Sequence, residues 1–348
     1  MAQNVRPEVS GKAKNTKSMY ARYQDKAKKA LIGYVGDPSG KARRFWPAVY
    51  PVGSKWEMRD MPFNKGLNDL IYTNQFVGLS ILGSAGNIVT SPDGWSWTER
   101  GAADDGDWRK MTYGKGTYVA SAYSRTNNMV KTSPDAINWT YYNGSGIFYV
   151  LGLCFGNDFV SVGSQGNQPK ISSSPDGKSW TARTAPADYA LNAVKFGKGS
   201  YIAVSGGITA GSRVLSSPDT ISWTSRPSPD DAYWSGLDFG LNMFLAFSGG
   251  MYSPLSTAVT MFSPDGISGW TKETAIGYAW SCICNGAGMF ASSAANQCNQ
   301  INTSPDGHSW TRVFSTGANV YPGLMAYGAE KFVCWVTTSS TYKVVCSL

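Results

Sequence analysis

The chain is poor in the side chains that enzymes use for proton transfer and metal binding. It has one histidine, His308, and after Glu8 its 348 residues include only four more glutamates: Glu57, Glu99, Glu273 and Glu330. One histidine argues against a zinc site and against a serine–histidine–aspartate triad. The sequence also lacks a phosphate-binding loop and a dinucleotide fingerprint. We therefore predict no catalytic residue, no cofactor and no metal.

Long apolar runs are missing too. No stretch approaches the ~20 apolar residues of a membrane-spanning helix, and the first residues lack the apolar core and small-residue cleavage site of a signal peptide. We expect no membrane span and no secretion. Six cysteines lie mostly in apolar strand patterns, which favours buried free thiols over disulfides or a metal site; they are Cys154, Cys282, Cys284, Cys298, Cys334 and Cys346.

A short motif with the form SPDGxSW recurs at nearly even spacing. Its six copies begin at Ser91, Ser133, Ser174, Ser217, Ser263 and Ser304, at intervals of 42, 41, 43, 46 and 41 residues. Between copies, alternating apolar runs flank glycine turns, as in WRKMTYGKGTYVASAYSR, and no segment shows a sustained helical period. Four short strands per unit and a period of this length predict an all-β propeller.

The motif itself has a local physical role. Serine and aspartate side chains accept hydrogen bonds from backbone N–H groups of their own turn, and glycine supplies a conformation that other residues adopt at a cost. Two copies replace the glycine, with Ala136 and Thr220, so that either their turns differ or the position needs no positive φ. An extra Gly269 before Trp270 predicts a bulge. The motif aspartates are Asp93, Asp135, Asp176, Asp219, Asp265 and Asp306.

The tryptophans count one more unit than the motifs do. Each motif tryptophan is expected to pack between neighbouring blades, and Trp56 precedes Trp97 by 41 residues, which is one period. We predict seven blades, with the strand around Trp56 completing the blade built from the C-terminal strands. Six blades with an extra strand at each end is the alternative. The tryptophans are Trp56, Trp97, Trp139, Trp180, Trp223, Trp270 and Trp310.

The motif resembles the Asp-box, or BNR, repeat of sialidase-like propellers, with an aspartate and a glycine that are adjacent here. This variant is similar to repeats in bacterial and bacteriophage proteins, and the resemblance spans about residues 55–348. It implies a propeller fold and says little about activity, because the box is a structural turn away from the usual active face. A sialidase-type site would need clustered arginines and a tyrosine–carboxylate pair, and the sequence does not place such groups together.

The first fifty residues form a different segment from the rest. Residues 1–44 contain 11 lysines and arginines against three acids, whereas the remaining chain has 20 basic and 20 acidic residues. We divide the chain into a basic arm (1–50) and a neutral propeller (51–348). A short amphipathic helix is predicted from Lys17 to Leu31. The arm is interpreted as an anchor, with a nucleic-acid contact or a solvated tail as alternatives; its anchoring residues are Tyr20, Arg22, Tyr23, Lys26, Lys29, Arg43 and Arg44.

Aromatic residues recur where the first strand of each unit begins. Such rings, on the face opposite the motif turns, can stack on sugars or grip a protein. Packing between the inner strands is the alternative role. The residues are Trp108, Tyr149, Tyr189, Trp234, Trp280 and Tyr321.

Three functions remain open. The first is a bacteriophage virion component, such as a tail nozzle, adaptor or receptor-facing propeller. Its partners would be other tail proteins, further copies of the same chain, and a host-surface glycan or receptor. The second is a sialidase-like or other carbohydrate-active enzyme. The third is a cytoplasmic protein-interaction propeller.

Overall fold

The computed structural model describes most of the propeller and three strands of the arm. The residues described are 19–22, 31–36, 42–45, 52–53, 55–81, 88–100, 107–123, 129–144, 146–166, 168–187, 189–206, 213–249, 259–275, 280–294 and 299–348. The chain divides into two compact units, residues 1–51 and 52–348. Within the described residues every regular element is a strand, and none is a helix of the length and apolarity that a membrane span requires.

The second unit is a seven-bladed propeller of four-stranded antiparallel sheets. The first three blades contain, from the inner to the outer strand, β5 (Gly66–Tyr72), β6 (Phe76–Ile81), β7 (Ile88–Ser91) and β8 (Thr98–Arg100); β9 (Asp107–Gly114), β10 (Thr117–Tyr123), β11 (Met129–Ser133) and β12 (Thr140–Asn143); and β13 (Tyr149–Phe155), β14 (Phe159–Gln165), β15 (Gln168–Ser174) and β16 (Thr181–Arg183).

The next three blades follow the same order. They contain β17 (Leu191–Gly197), β18 (Ser200–Ser205), β19 (Val214–Ser217) and β20 (Thr224–Arg226); β21 (Trp234–Gly240), β22 (Met243–Ser248), β23 (Val259–Ser263) and β24 (Thr271–Thr274); and β25 (Cys282–Gly286), β26 (Met289–Ala294), β27 (Gln300–Ser304) and β28 (Thr311–Ser315). The inner strands contact one another in sequence around a central channel.

Blade 7 closes the ring with a strand from the beginning of the propeller. It consists of β29 (Val320–Gly328), β30 (Lys331–Thr338), β31 (Tyr342–Ser347) and, as its outer strand, β4 (Trp56–Asp60). β4 pairs antiparallel with β31 from Lys343↔Asp60 to Ser347↔Trp56. The Nε1 of Trp56 donates to the carbonyl of Gly53 at 2.9 Å, as other motif tryptophans do three residues after their glycine. Seven blades and closure by both ends of the propeller are therefore confirmed.

The two motifs without glycine adopt the same turn as the others. Ala136 and Thr220 have φ of 64° and 67°, whereas the corresponding Gly94 and Gly177 have 78° and 73°. Neither alternative from the sequence was correct, because the position requires a positive φ and both residues accept it. Left-handed backbone costs a non-glycine residue about 1–2 kcal/mol.

The bulge expected at Gly269 is not in the β-ladder, which runs without a shift to Phe262↔Thr271. The extra residue lies inside the turn, where Gly269 has a φ of 61°. Glycine tolerates this conformation, so that the insertion is absorbed before the outer strand begins.

The core lies between the blades. Each junction buries apolar side chains from the middle strands of two blades; between blades 6 and 7, for example, Ala291 and Ile301 belong to the same buried cluster as Phe332. Trp56, Trp97, Trp180 and Trp223 are buried, and the motif tryptophans of the other three blades are partly buried. The tryptophans therefore have the inter-blade packing role that their spacing predicts.

The arm contains strands where the sequence analysis placed a helix. β1 (Met19–Arg22), β2 (Leu31–Gly36) and β3 (Ala42–Phe45) form a three-stranded antiparallel sheet. The predicted helix is therefore wrong at both of its ends. The β-branched and aromatic residues Ile32, Tyr34 and Val35 favour a strand, and a short helix has little stability of its own. The strands include Tyr20, Arg22, Arg43 and Arg44, whereas Tyr23, Lys26 and Lys29 lie outside the described residues.

Candidate functional site

The motif carboxylates are occupied within their own turns. The Oδ1 of Asp265, for example, accepts hydrogen bonds from the backbone N–H groups of Ile267 and Ser268 at 2.8 and 2.9 Å. The hydrogen bond from the Ser268 N–H is the largest effect on the Asp265 carboxylate, and although partial burial acts in the opposite direction, the pKa of Asp265 is lowered to about 2. All six motif aspartates have lowered pKa values and remain ionised at neutral pH. These side chains shape the turns, as the sequence predicted.

Half of the predicted binding face is core. Trp108, Trp234 and Trp280 are at most 1% exposed, and Trp280 meets the motif residue Trp310 edge-on with ring centroids 4.4 Å apart. Rings buried to this extent pack the blades and cannot be a stacking surface for a ligand, so the binding role expected of them is wrong. Tyr149 and Tyr189 are half-buried and Tyr321 is 37% exposed; for these three the binding role stays a prediction.

Among the described residues, no group of three or more histidine, cysteine or carboxylate side chains is arranged so that it could hold a metal ion. His308 lies in a motif turn, where its Nδ1 is 3.1 Å from the Glu273 carboxylate. Burial raises the pKa of the Cys154 thiol to about 12 and that of Cys282 to about 11. Such thiols are protonated at neutral pH and are poor nucleophiles.

Charged side chains of the inner strands join neighbouring blades. The Nζ of Lys195 lies 2.9 Å from Oδ1 of Asp238, whose other oxygen accepts the N–H of Asn285 at 2.8 Å. The Asp238 carboxylate holds the pKa of Lys195 above its usual value. Asp69 accepts the N–H of Met111 in the same manner, at 2.7 Å. These carboxylates cap backbone groups of the next inner strand, which is a structural role.

Seven side chains form a collar around one mouth of the channel. They occupy the same position near the end of each inner strand, on the side of the disc that carries the motif turns, and we call this the motif side. Six of the seven are aromatic, and in those six blades the ring packs on an aromatic residue at the first or second position of the second strand, with centroids 4.6–4.9 Å apart. The collar consists of Tyr72, Tyr113, Phe155, Phe196, Phe239, Asn285 and Tyr327.

Glycine lets the collar close. In six blades the residue after the collar residue is glycine, and the collar side chain of the next blade lies directly over it. A Cβ added to Gly114 would lie 2.1 Å from the ring of Phe155, and one added to Gly328 would lie 2.0 Å from the ring of Tyr72. At the other four glycines an added Cβ would lie 2.0–2.5 Å from the collar side chain of the next blade; they are Gly156, Gly197, Gly240 and Gly286.

Blade 1 breaks this rule. Thr73 stands where the other blades have glycine, so Tyr113 has no glycine on which to lie. Tyr113 is 39% exposed, whereas the other six collar residues are half-buried. A groove of about 600 Å³ opens at this junction. It is lined by Ile71, Tyr72, Thr73, Asn74, Thr112 and Tyr113.

Sequence reasoning missed the collar although the signal was present. The aromatic–glycine pairs Tyr113–Gly114, Phe155–Gly156 and Phe196–Gly197 recur with the period of the repeat, and Tyr72–Thr73 is the deviation. A departure from a repeat at a fixed position was the observation that could have located the groove.

The fold and this site define a seven-bladed propeller with an irregular channel mouth. No family model matches the sequence, and a search of curated proteins gives no match. Solved structures do match. A streptogramin B lyase has 10% identity and a TM-score of 0.67 over 84% of this chain and 98% of its own, and YCF48 bound to D1 peptide has 13% and 0.62 over 84% and 94%. A chain of the mitotic checkpoint complex has 11% and 0.63 over 88% and 96%. At these identities the similarity is one of fold.

Proposed function

We propose that this chain is a non-catalytic structural and binding protein of a virion, a bacteriophage tail component whose basic arm anchors a propeller body. The observation that carries the proposal is the division of the chain. The arm is a compact unit of its own, and residues 1–44 hold a net charge of +8 while the remaining 20 basic and 20 acidic residues cancel. A charged segment attached to a neutral body is suited to insertion into a larger assembly.

The polar chemistry of the propeller supports binding rather than catalysis. Its motif carboxylates hold backbone N–H groups, and Asp69 and Asp238 do the same between blades. The similar structures include a catalytic propeller, a lyase, and two propellers with protein or peptide partners, one bound to a peptide and one in a multiprotein complex. Propellers that bind peptides and proteins are thus among its fold relatives. The bacteriophage setting rests on the resemblance of the SPDG repeat.

Imaging tests the anchoring role. The full chain and a variant lacking residues 1–44 would be examined by negative-stain microscopy and sedimentation at low and high salt. We expect rings or larger particles for the full chain and single discs for the truncated one. A propeller that remains a single disc in both forms, at every salt concentration, would contradict the proposal.

A charge-matched pair separates anchoring from general electrostatics. Lys26, Lys28 and Lys29 would be replaced by glutamine in one variant, and Lys170, Lys178 and Lys198 in the other, so that each loses three positive charges. Only the arm variant should assemble less well. Equal loss in both would show that net charge, rather than the arm, drives association.

A carbohydrate-active enzyme is the second candidate, because the repeated motif resembles that of sialidase-like propellers; one similar structure, a lyase, is also an enzyme. Here the single histidine contacts Glu273 in a motif turn. A fluorogenic sialoside assay over a range of pH tests this alternative. We expect no turnover above buffer; turnover that disappears in a point variant of an inner-strand or loop residue would replace the binding proposal with an enzymatic one.

A further inference from the structure

We propose that the groove between blades 1 and 2 on the motif side binds a neutral oligosaccharide. This inference goes beyond the proposed function and concerns the propeller alone. It begins from the single collar position without glycine. Thr73 ties the junction differently from the other blades, because its Oγ1 hydrogen-bonds to the hydroxyl of Tyr118 in the next blade and to Oδ1 of Asn74 at 3.0 Å.

The lining has the chemistry of a sugar site. Tyr72 and Tyr113 contribute aromatic rings, Thr73 and Thr112 hydroxyl groups, and Asn74 an amide, while none of the lining residues is charged. Sugars present apolar C–H faces that pack on aromatic rings and hydroxyl groups that pair with neutral donors and acceptors. A lining of this kind supplies no positive charge to pair with a phosphate or carboxylate.

Lys115, which follows Tyr113 by two residues, has its charge engaged in blade 3. Its Nζ pairs with Asp158 at 3.1 Å and donates to the carbonyl of Pro175 at 2.8 Å. Its charge is therefore used at the next junction. An anionic glycan such as a sialoside would find no countercharge among the lining residues, and this sets the ligand apart from that of a sialidase-type site.

The size and exposure of the groove fit a short glycan. Ligand sites are typically clefts of about 300–1,000 Å³, and the groove, at about 600 Å³, falls within this range. Asn74 and Tyr113 are exposed and the other four lining residues are half-buried. A chain end of a larger polysaccharide can thus enter from the motif side without movement of the blades.

The test is saturation-transfer NMR and calorimetry on the full chain. The probes are neutral di- to tetrasaccharides of glucose, galactose and N-acetylglucosamine, with sialyllactose and a tyrosine-rich peptide as comparisons. We expect at least one neutral series to bind and the sialylated sugar to bind no better than its neutral core. Binding of none of the neutral sugars, or of the peptide alone, would overturn the proposal.

Two variants localise the site. Tyr113→Ala removes one ring, and Thr73→Gly restores the glycine on which the Tyr113 ring can lie, so that the groove closes while the fold is kept. Each should weaken binding at least tenfold. Tyr141→Ala removes a comparably exposed tyrosine, 44% exposed in the outer strand β12, and should leave binding unchanged. Wild-type affinity in both groove variants, with unchanged thermal unfolding, would refute the assignment.

The two proposals fail separately. Loss of arm-dependent assembly would not alter sugar binding by the full chain, and a chain that assembles but binds no neutral glycan would refute only the groove.

Discussion

Replacing the motif glycine by alanine should destabilise the protein to different extents in two of the blades. Gly177 and Gly307 have φ of 73° and 81°, so alanine at either site must adopt a left-handed backbone, at a cost of about 1–2 kcal/mol. Alanine also reduces the conformational entropy of the unfolded chain, which stabilises the folded state by about 0.4–1 kcal/mol in each case. The backbone terms are therefore nearly equal for the two substitutions.

Their neighbours are not equal. A Cβ on Gly177 would lie 2.5 Å from Cγ2 of Val119, a fully buried residue of blade 2. Carbon atoms prefer separations of about 3.5–4.0 Å, and valine has little rotamer freedom with which to retreat. Overpacking of this kind costs about 1–3 kcal/mol. At Gly307 the nearest atom is Sδ of Met243 at 3.2 Å, and methionine adapts readily.

We therefore expect Gly177→Ala to lower the free energy of unfolding by about 3 kcal/mol and Gly307→Ala by about 1 kcal/mol. Urea unfolding followed by tryptophan fluorescence measures both, with the m-value compared to confirm that the cooperative unit is unchanged. Ala136→Gly is the control, because relief of the left-handed strain there roughly cancels the ~0.8 kcal/mol of one buried methyl. Equal destabilisation by both alanines would refute the reasoning that inter-blade spacing sets the cost.

Two further predictions concern the motif turns and the seam. The motif aspartates have folded-state pKa values below the ordinary 3.8, about 2 for Asp265, so their contribution to stability is present above pH 3.8 and is lost as the pH falls toward 2. The urea midpoint should therefore drop between pH 5 and pH 2, and Asp265→Asn should reduce this drop. A drop of the same size in the variant would contradict the prediction. Trp56→Ala should lower the free energy of unfolding by about 3–5 kcal/mol, as much as Trp97→Ala in blade 1, because the two side chains are equally buried and Trp56 belongs to the strand that completes blade 7. If Trp56→Ala alone lowered it by less than about 1 kcal/mol, the ring would not depend on this closing strand.

The sequence predicted the architecture because propeller blades depend on local, repeated chemistry. The spacing of Trp56 from Trp97 located the seventh blade, and the motif turns behaved alike even where Ala136 and Thr220 replace glycine. What failed depended on tertiary context. An aromatic at the start of an inner strand has the same pattern whether it packs or faces solvent, and burial decided against Trp108, Trp234 and Trp280. The arm failed for a related reason, since Met19 and Tyr20 fit one face of a short helix as readily as a strand.

The departures from the repeat carry more information about function than the repeat itself. A side chain present at an equivalent position in six or seven blades is explained by the fold: the motif aspartates order turns, the tryptophans fill junctions, and the collar glycines give room to the next ring. Thr73 is explained by none of these needs, because glycine serves the same position in the other six blades and lets the collar close. Its consequence is the exposure of Tyr113 and the groove beside it. The repeat of the fold does not require Thr73, and among the described residues the junction of blades 1 and 2 is where a break in the collar also leaves space for a ligand.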